Sequence, residues 1–153
     1  MRISILLRQL PRVRFPYPRV CGFLGVVDRS SGNPGNIHGM PVSFLMGLGS
    51  PVDEFSWVKP LLKPSRIVYI GLRDLDVGEK KILKENGIKA FSMHEVDRWG
   101  IGRVVEMALD HVNPERNQPI HLSFDVDALD PSVAPSTGTP VGPNRCMTDQ
   151  RVY

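Results

Sequence analysis

Apolar positions recur along this chain with two different periods. Ile101, Val104, Val105, Ala108, Leu109 and Val112 follow the i, i+3, i+4, i+7, i+8 spacing of a helix with one buried face, closed by a loop at Asn113-Pro114. Glu79 to Asn86 is helical in composition, with Gly87 as its stop. Pro41 to Met46 opens on a proline suited to a first helical turn and ends at Gly47. Between these lie short β-branched and aromatic runs. Ile67-Val68-Tyr69-Ile70 closes on Gly71 and reads as a buried strand, and Ile88 to Phe91 reads as another. Ile120-His121-Leu122-Ser123-Phe124 is the last strand and runs directly into Asp125.

Strands alternating with helices over short loops predict βαβ units, and so an α/β, three-layer fold around a mostly parallel sheet. Parallel strands are buried on both faces, and ligands of such sheets bind beyond the strands' carboxyl ends. Acids cluster at those ends here. Arg73-Asp74-Leu75-Asp76 follows one strand, and Asp125-Val126-Asp127 follows another.

Composition narrows the class. The chain has 153 residues, two cysteines and a net charge of +3. No apolar stretch approaches the ~20 residues needed to cross a bilayer, and two cysteines do not make a disulfide framework. Cys21 and Cys146 are expected to be free thiols. Residues 1–27 hold five arginines and no acid, so the remainder carries −2. No basic, aromatic-studded face is left on the body to bind nucleic acid. Residues 1–30 are expected to be a poorly ordered basic leader, broken by prolines at 11, 16 and 18. Its arginines also suit a mitochondrial targeting peptide; otherwise a cytoplasmic location is the expectation. Residues 142–153 continue neither a strand nor a helix and read as an unrelated tail. One domain, over residues 31–141, is left between them.

Asp125-Val126-Asp127-Ala128-Leu129-Asp130 sets three carboxylates in six residues at a strand end. On a regular strand Asp125 and Asp127 face the same way, and an oxygen-rich pair suits a hard divalent cation. The residue types alone leave a second reading open, in which they are ordinary strand-end acids and Asp130-Pro131 starts a turn.

The wider string Ser123-Phe124-Asp125-Val126-Asp127-Ala128-Leu129-Asp130-Pro131, followed by Ala134-Pro135-Ser136-Thr137-Gly138-Thr139-Pro140, resembles the signature of the ureohydrolases. Within that superfamily three further segments look like arginase. They are Gly35 to Leu45 around His38, Ile70-Gly71-Leu72-Arg73-Asp74-Leu75-Asp76, and Phe91 to Arg98. The resemblance implies an arginase-like fold, here incomplete. It also implies hydrolysis of L-arginine to L-ornithine and urea, with two manganese ions per site. Manganese pairs of this kind activate water against a resonance-stabilised guanidinium, while a general acid protonates the departing amine. Carried over by position, Asp125 and Asp127 match metal-binding carboxylates, and His38 matches the histidine assigned to proton transfer. Asp76 matches the acid that holds the substrate α-amino group, and Glu79 sits in the same loop. Thr139 matches a residue lining the guanidinium end.

The family holds its metals with six side chains, and four of them come from segments upstream of His38. Neither upstream segment occurs here: Asp28 is the only acid before His38, and the residue two before it is Val26. The family serine for the substrate carboxylate falls on Pro34. Two alternatives to a working arginase follow. One is a non-catalytic, truncated remnant that at most associates with other subunits, whereas a working enzyme would have its site rebuilt by assembly into a homo-oligomer. The other is agmatinase, whose substrate has no carboxylate. The remaining histidines read as structural, with His94 capping a helix, His111 on a helix surface and His121 in the sheet.

Overall fold

The computed structural model describes residues 3–7, 41–48, 56–72, 75, 77–126, 129 and 132–136. In chain order its elements are β1 (Ile3–Leu7), α1 (Pro41–Met46), a 3-10 turn at Pro64–Arg66, β2 (Ile67–Leu72), α2 (Val77–Glu85), β3 (Lys89–Ser92), α3 (Met93–Trp99), α4 (Ile101–Val112) and β4 (Ile120–Phe124). The four strands form one sheet in the order β3-β2-β1-β4. β2 and β3 pair parallel, whereas β1 runs antiparallel to both β2 and β4. β2, β3 and β4 therefore share one direction, as the alternating pattern requires, and β1 is a reversed strand among them.

β1 departs from the sequence reading. Residues 3–7, assigned by composition to a poorly ordered leader, form a strand that pairs on both sides. Five consecutive β-compatible residues suffice for a strand once two neighbours supply its backbone partners. The rest of the leader and the tail over 142–153 lie outside the described residues.

The middle layer is β2 and β3, and alternation along β2 sorts the core. Val68 and Ile70 join Phe91 against Val96 of α3 and Val104, Ala108 and Val112 of α4. Ile67 and Tyr69 face the other way, with Ala90 and Ile88, onto Val42 and Met46 of α1 and Leu83 of α2. Helices thus cover both faces, giving three layers. Leu72 joins the Ile67 and Tyr69 cluster despite its even number. The cause is Gly71, which has φ 77° and lies where the β2–β3 register slips between Ile70 and Leu72. An extra residue reverses the alternation beyond it. Gly71 was expected to end the strand; it instead sits inside it as a bulge.

Local signals explain the helix ends. Gly87, with φ 61°, ends the turn after α2 in the left-handed conformation that glycine adopts without cost. α3 begins at Ser92, whose backbone N–H and hydroxyl both donate to the Glu95 carboxylate at 2.5 Å. This capping box makes Ser92 the cap, so His94, expected in that role, lies within the first turn of α3 instead. After α4 the buried Asn113 side chain fixes the approach to β4. Its Nδ2 donates to the Gln118 carbonyl at 2.9 Å, and its Oδ1 accepts from the Gln118 N–H at 3.3 Å.

β4 differs from the buried strand its parallel setting predicts. Ile120, Leu122 and Phe124 are 39%, 58% and 51% exposed, while all six residues of β2 are buried. Among the described elements the helices pack over β2 and β3, and β4 stands two strands away from β2 at the sheet's margin.

Candidate functional site at the carboxyl rim of the sheet

Ile3 of β1 is paired with Ile70 on one side and Phe124 on the other. Ile70 and Phe124 are therefore level across the sheet, and Gly71 and Asp125 are the next residues on each. Strands are spaced ~4.8 Å apart, so β2 and β4 run roughly 10 Å from each other with β1 between them. Asp125 thus leaves the sheet at the height where β2 bulges, and the two chain paths emerge on one rim.

Glu79 belongs to the same rim. Helix α2 follows β2 after a loop of four residues, and Glu79 is the acid of its first turn, only 7% exposed. A helix N-terminus favours a carboxylate there. A carboxylate this deeply placed must be paired, since leaving it bare costs several kcal/mol. Both Glu79 and Asp125 do engage other groups. Asp125 is only partly covered. Beside them, at the end of β3, the Ser92–Glu95 capping box fixes the third strand end of the rim. The sequence reading did not single out Ser92 or Glu95, although their Ser-x-x-Glu spacing before an apolar position was the available signal.

Of the six residues expected in the site, Glu79 and Asp125 are described and share this rim. His38, Asp76, Asp127 and Thr139 lie outside the described residues, as do Arg73 and Asp74. Carboxylates on one rim suit a cation, whether ammonium, guanidinium or a divalent metal ion. Among the described residues no three His, Cys, Asp or Glu side chains converge as a metal cage would require. The described residues by themselves do not fit a two-metal centre. Likewise, no described helix is long and apolar enough to cross a membrane.

Helices on both faces of a sheet whose strands mostly point one way, with acids beyond their carboxyl ends, define a three-layer α/β protein with its site on that rim. The chain belongs to the arginase family, which it matches over residues 26–143, a few residues beyond the 31–141 read from the sequence at each end. It is 72% identical over 111 residues to an arginase of Glaciozyma antarctica, covering 70% of this chain and 32% of that protein. An arginase of Neurospora crassa is 68% identical over 111 residues, with 70% and 30% covered. The chain thus spans about a third of the length of these relatives. Solved structures agree. The crystal structure of the cold-adapted Glaciozyma arginase superposes with a TM-score of 0.60 at 70% identity, covering 67% of this chain and 36% of that one. A Bacillus caldovelox arginase gives 0.64 at 47% identity, with 74% and 38% covered. An Entamoeba histolytica arginase in complex with L-ornithine gives 0.64 at 35% identity, with 78% and 39% covered.

Proposed function

We propose that the carboxyl rim of this sheet serves the hydrolysis of L-arginine to L-ornithine and urea, with manganese as cofactor. The observation that carries the reading is the emergence of Asp125 level with Gly71, on the rim that also holds a buried Glu79, in a chain of the arginase family. Glu79, which lies in the first turn of α2 and not in the loop the sequence suggested, would receive the substrate's α-ammonium group together with Asp76. A carboxylate is suited to that cation, because a charge-assisted hydrogen bond joins the two. His38 would give the departing amine its proton, and Thr139 would line the guanidinium end. Asp125 and Asp127 would be the carboxylates offered to manganese, which would supply an activated water when bound. The Entamoeba relative's complex with L-ornithine supports the substrate class.

A second reading, a non-catalytic family member, is favoured by one observation: the residues before His38 do not carry the two ligand segments that the family has there. One experiment separates the two. The purified chain is loaded with manganese and assayed for bound metal and for urea from L-arginine and from agmatine. Arginine-dependent urea that disappears in Asp125→Asn supports the enzyme reading. No urea and no tight metal supports the second reading, and a higher rate on agmatine overturns the choice of substrate.

A further inference from the structure

We propose that the gap between β2 and β4 is a strand-acceptor site, which this chain fills with its own β1 and which takes an uncharged, extended peptide of the same kind supplied in trans. β1 lies outside residues 26–143, the segment that matches the arginase family, whereas β2 and β4 lie within it. The family segment thus supplies the two walls of the gap, and a strand from outside that segment occupies it. β1 pairs with both walls, at four positions of β2 and at five of β4.

The gap is one strand wide. Neighbouring strands stand ~4.8 Å apart, so β2 and β4, roughly 10 Å from each other, do not pair directly. Removing β1 would leave β2 paired with β3 alone. The inner edge of β2 would then hold unpaired backbone groups in a strand whose six residues are all buried, which is costly. The walls share one direction and β1 opposes both, an arrangement at least as stable per residue as parallel pairing.

In such a site main-chain bonds give affinity, and side chains give selectivity. The five residues of β1, Ile-Ser-Ile-Leu-Leu, include neither charge nor proline, and Arg2 and Arg8 bracket them in the sequence. α4 packs over β1 as well as β2, so a charge facing it would lose its water. A proline would delete a ladder donor. The ligand class is therefore an extended run of about five uncharged, β-compatible residues. Being tethered, β1 holds the gap at an effective concentration on the order of 0.1–1 mM, so a free peptide at ~10 µM does not displace it. Weakening β1 opens the gap.

The test uses the full chain carrying Ile5→Pro, which removes the N–H at the middle of β1. Its ligand is a fluorescent synthetic peptide of residues 1–10, read by anisotropy. The expected result is binding at least about tenfold tighter to the variant than to the unsubstituted chain, whose gap is filled. The same peptide with Ile5→Pro should bind neither. In the peptide-bound variant, amides of residues 67–70 and 120–124 should exchange as slowly as in the unsubstituted chain. No saturable binding, equal binding to both chains, or binding without this protection overturns the proposal. Should Ile5→Pro unfold the chain, the peptide must restore the circular dichroism of the unsubstituted chain, and failure to do so overturns it as well. Binding and exchange are read here, not urea, so this proposal fails or stands separately from the hydrolase reading.

Discussion

Ile70 and Phe124 sit at the same height because both are paired with Ile3, the residue of β1 that lies between them. A reversed strand of five residues thereby sets the relative height of the two chain segments that leave the sheet toward the acids. Strand pairing places Asp125 level with the β2 bulge, one strand removed from it, and no side-chain contact between β2 and β4 is needed for it.

That bulge depends on Gly71. Its φ of 77° is disfavoured for any residue with a Cβ. Gly71→Ala is expected to destabilise the chain by about 1–2 kcal/mol, measured by denaturant titration. Because the bulge also returns Leu72 to the α1 and α2 side, circular dichroism should show loss of packing on that face before global unfolding. An unchanged midpoint would mean that the strand accommodates alanine without the slip.

The two hydrogen bonds between the Asn113 side chain and the backbone of Gln118 fix the turn from α4 to β4. Asn113 is 3% exposed, and its truncation removes both of these partly buried hydrogen bonds. Asn113→Ala should cost about 1–3 kcal/mol. Hydrogen exchange should quicken over residues 118–124 more than in β2. Uniform quickening across the sheet would show that Asn113 acts on overall stability alone.

His111 predicts a pH dependence. Partial burial, and secondarily the Lys89 ammonium, hold its pKa below the ordinary 6.5. The folded chain therefore binds fewer protons at this site than the unfolded chain as pH falls below 6.5. This contribution to stability is complete above pH 6.5 and is lost as pH drops through the lowered value. Denaturation midpoints measured between about pH 7.5 and 5 should fall, and His111→Gln should flatten part of that slope. An equal slope in the variant would remove His111 from the account.

Legibility in the sequence followed how local each signal was. The helix α4 was readable because its buried positions, Val104, Ala108 and Val112, keep helical spacing without interruption. β2 was readable from its β-branched run, although the slip at Gly71 was not, since a bulge is decided by the neighbouring strand. α3 was legible only as the helix expected at His94, because Val96 is its only buried residue and no periodicity marks its extent. β1 escaped because nothing within Ile3–Leu7 announces partners more than sixty residues away. The exposure of β4 was not readable either: its composition suits a buried strand, and burial depends on what packs beside it.

The site divides in the same way. Asp125 was legible from the run of acids after a strand, and Glu79 from its place in the loop and helix after β2. Spacing carried the type of residue, but the common height of Asp125 and Gly71 required the register through Ile3.

The assay that bears most directly on this rim as an arginine-hydrolysing surface is urea release by the purified chain at saturating manganese. The expected result is urea formed in proportion to added L-arginine, falling to background in Asp125→Asn. No urea from a folded chain, or urea undiminished in Asp125→Asn, would contradict it.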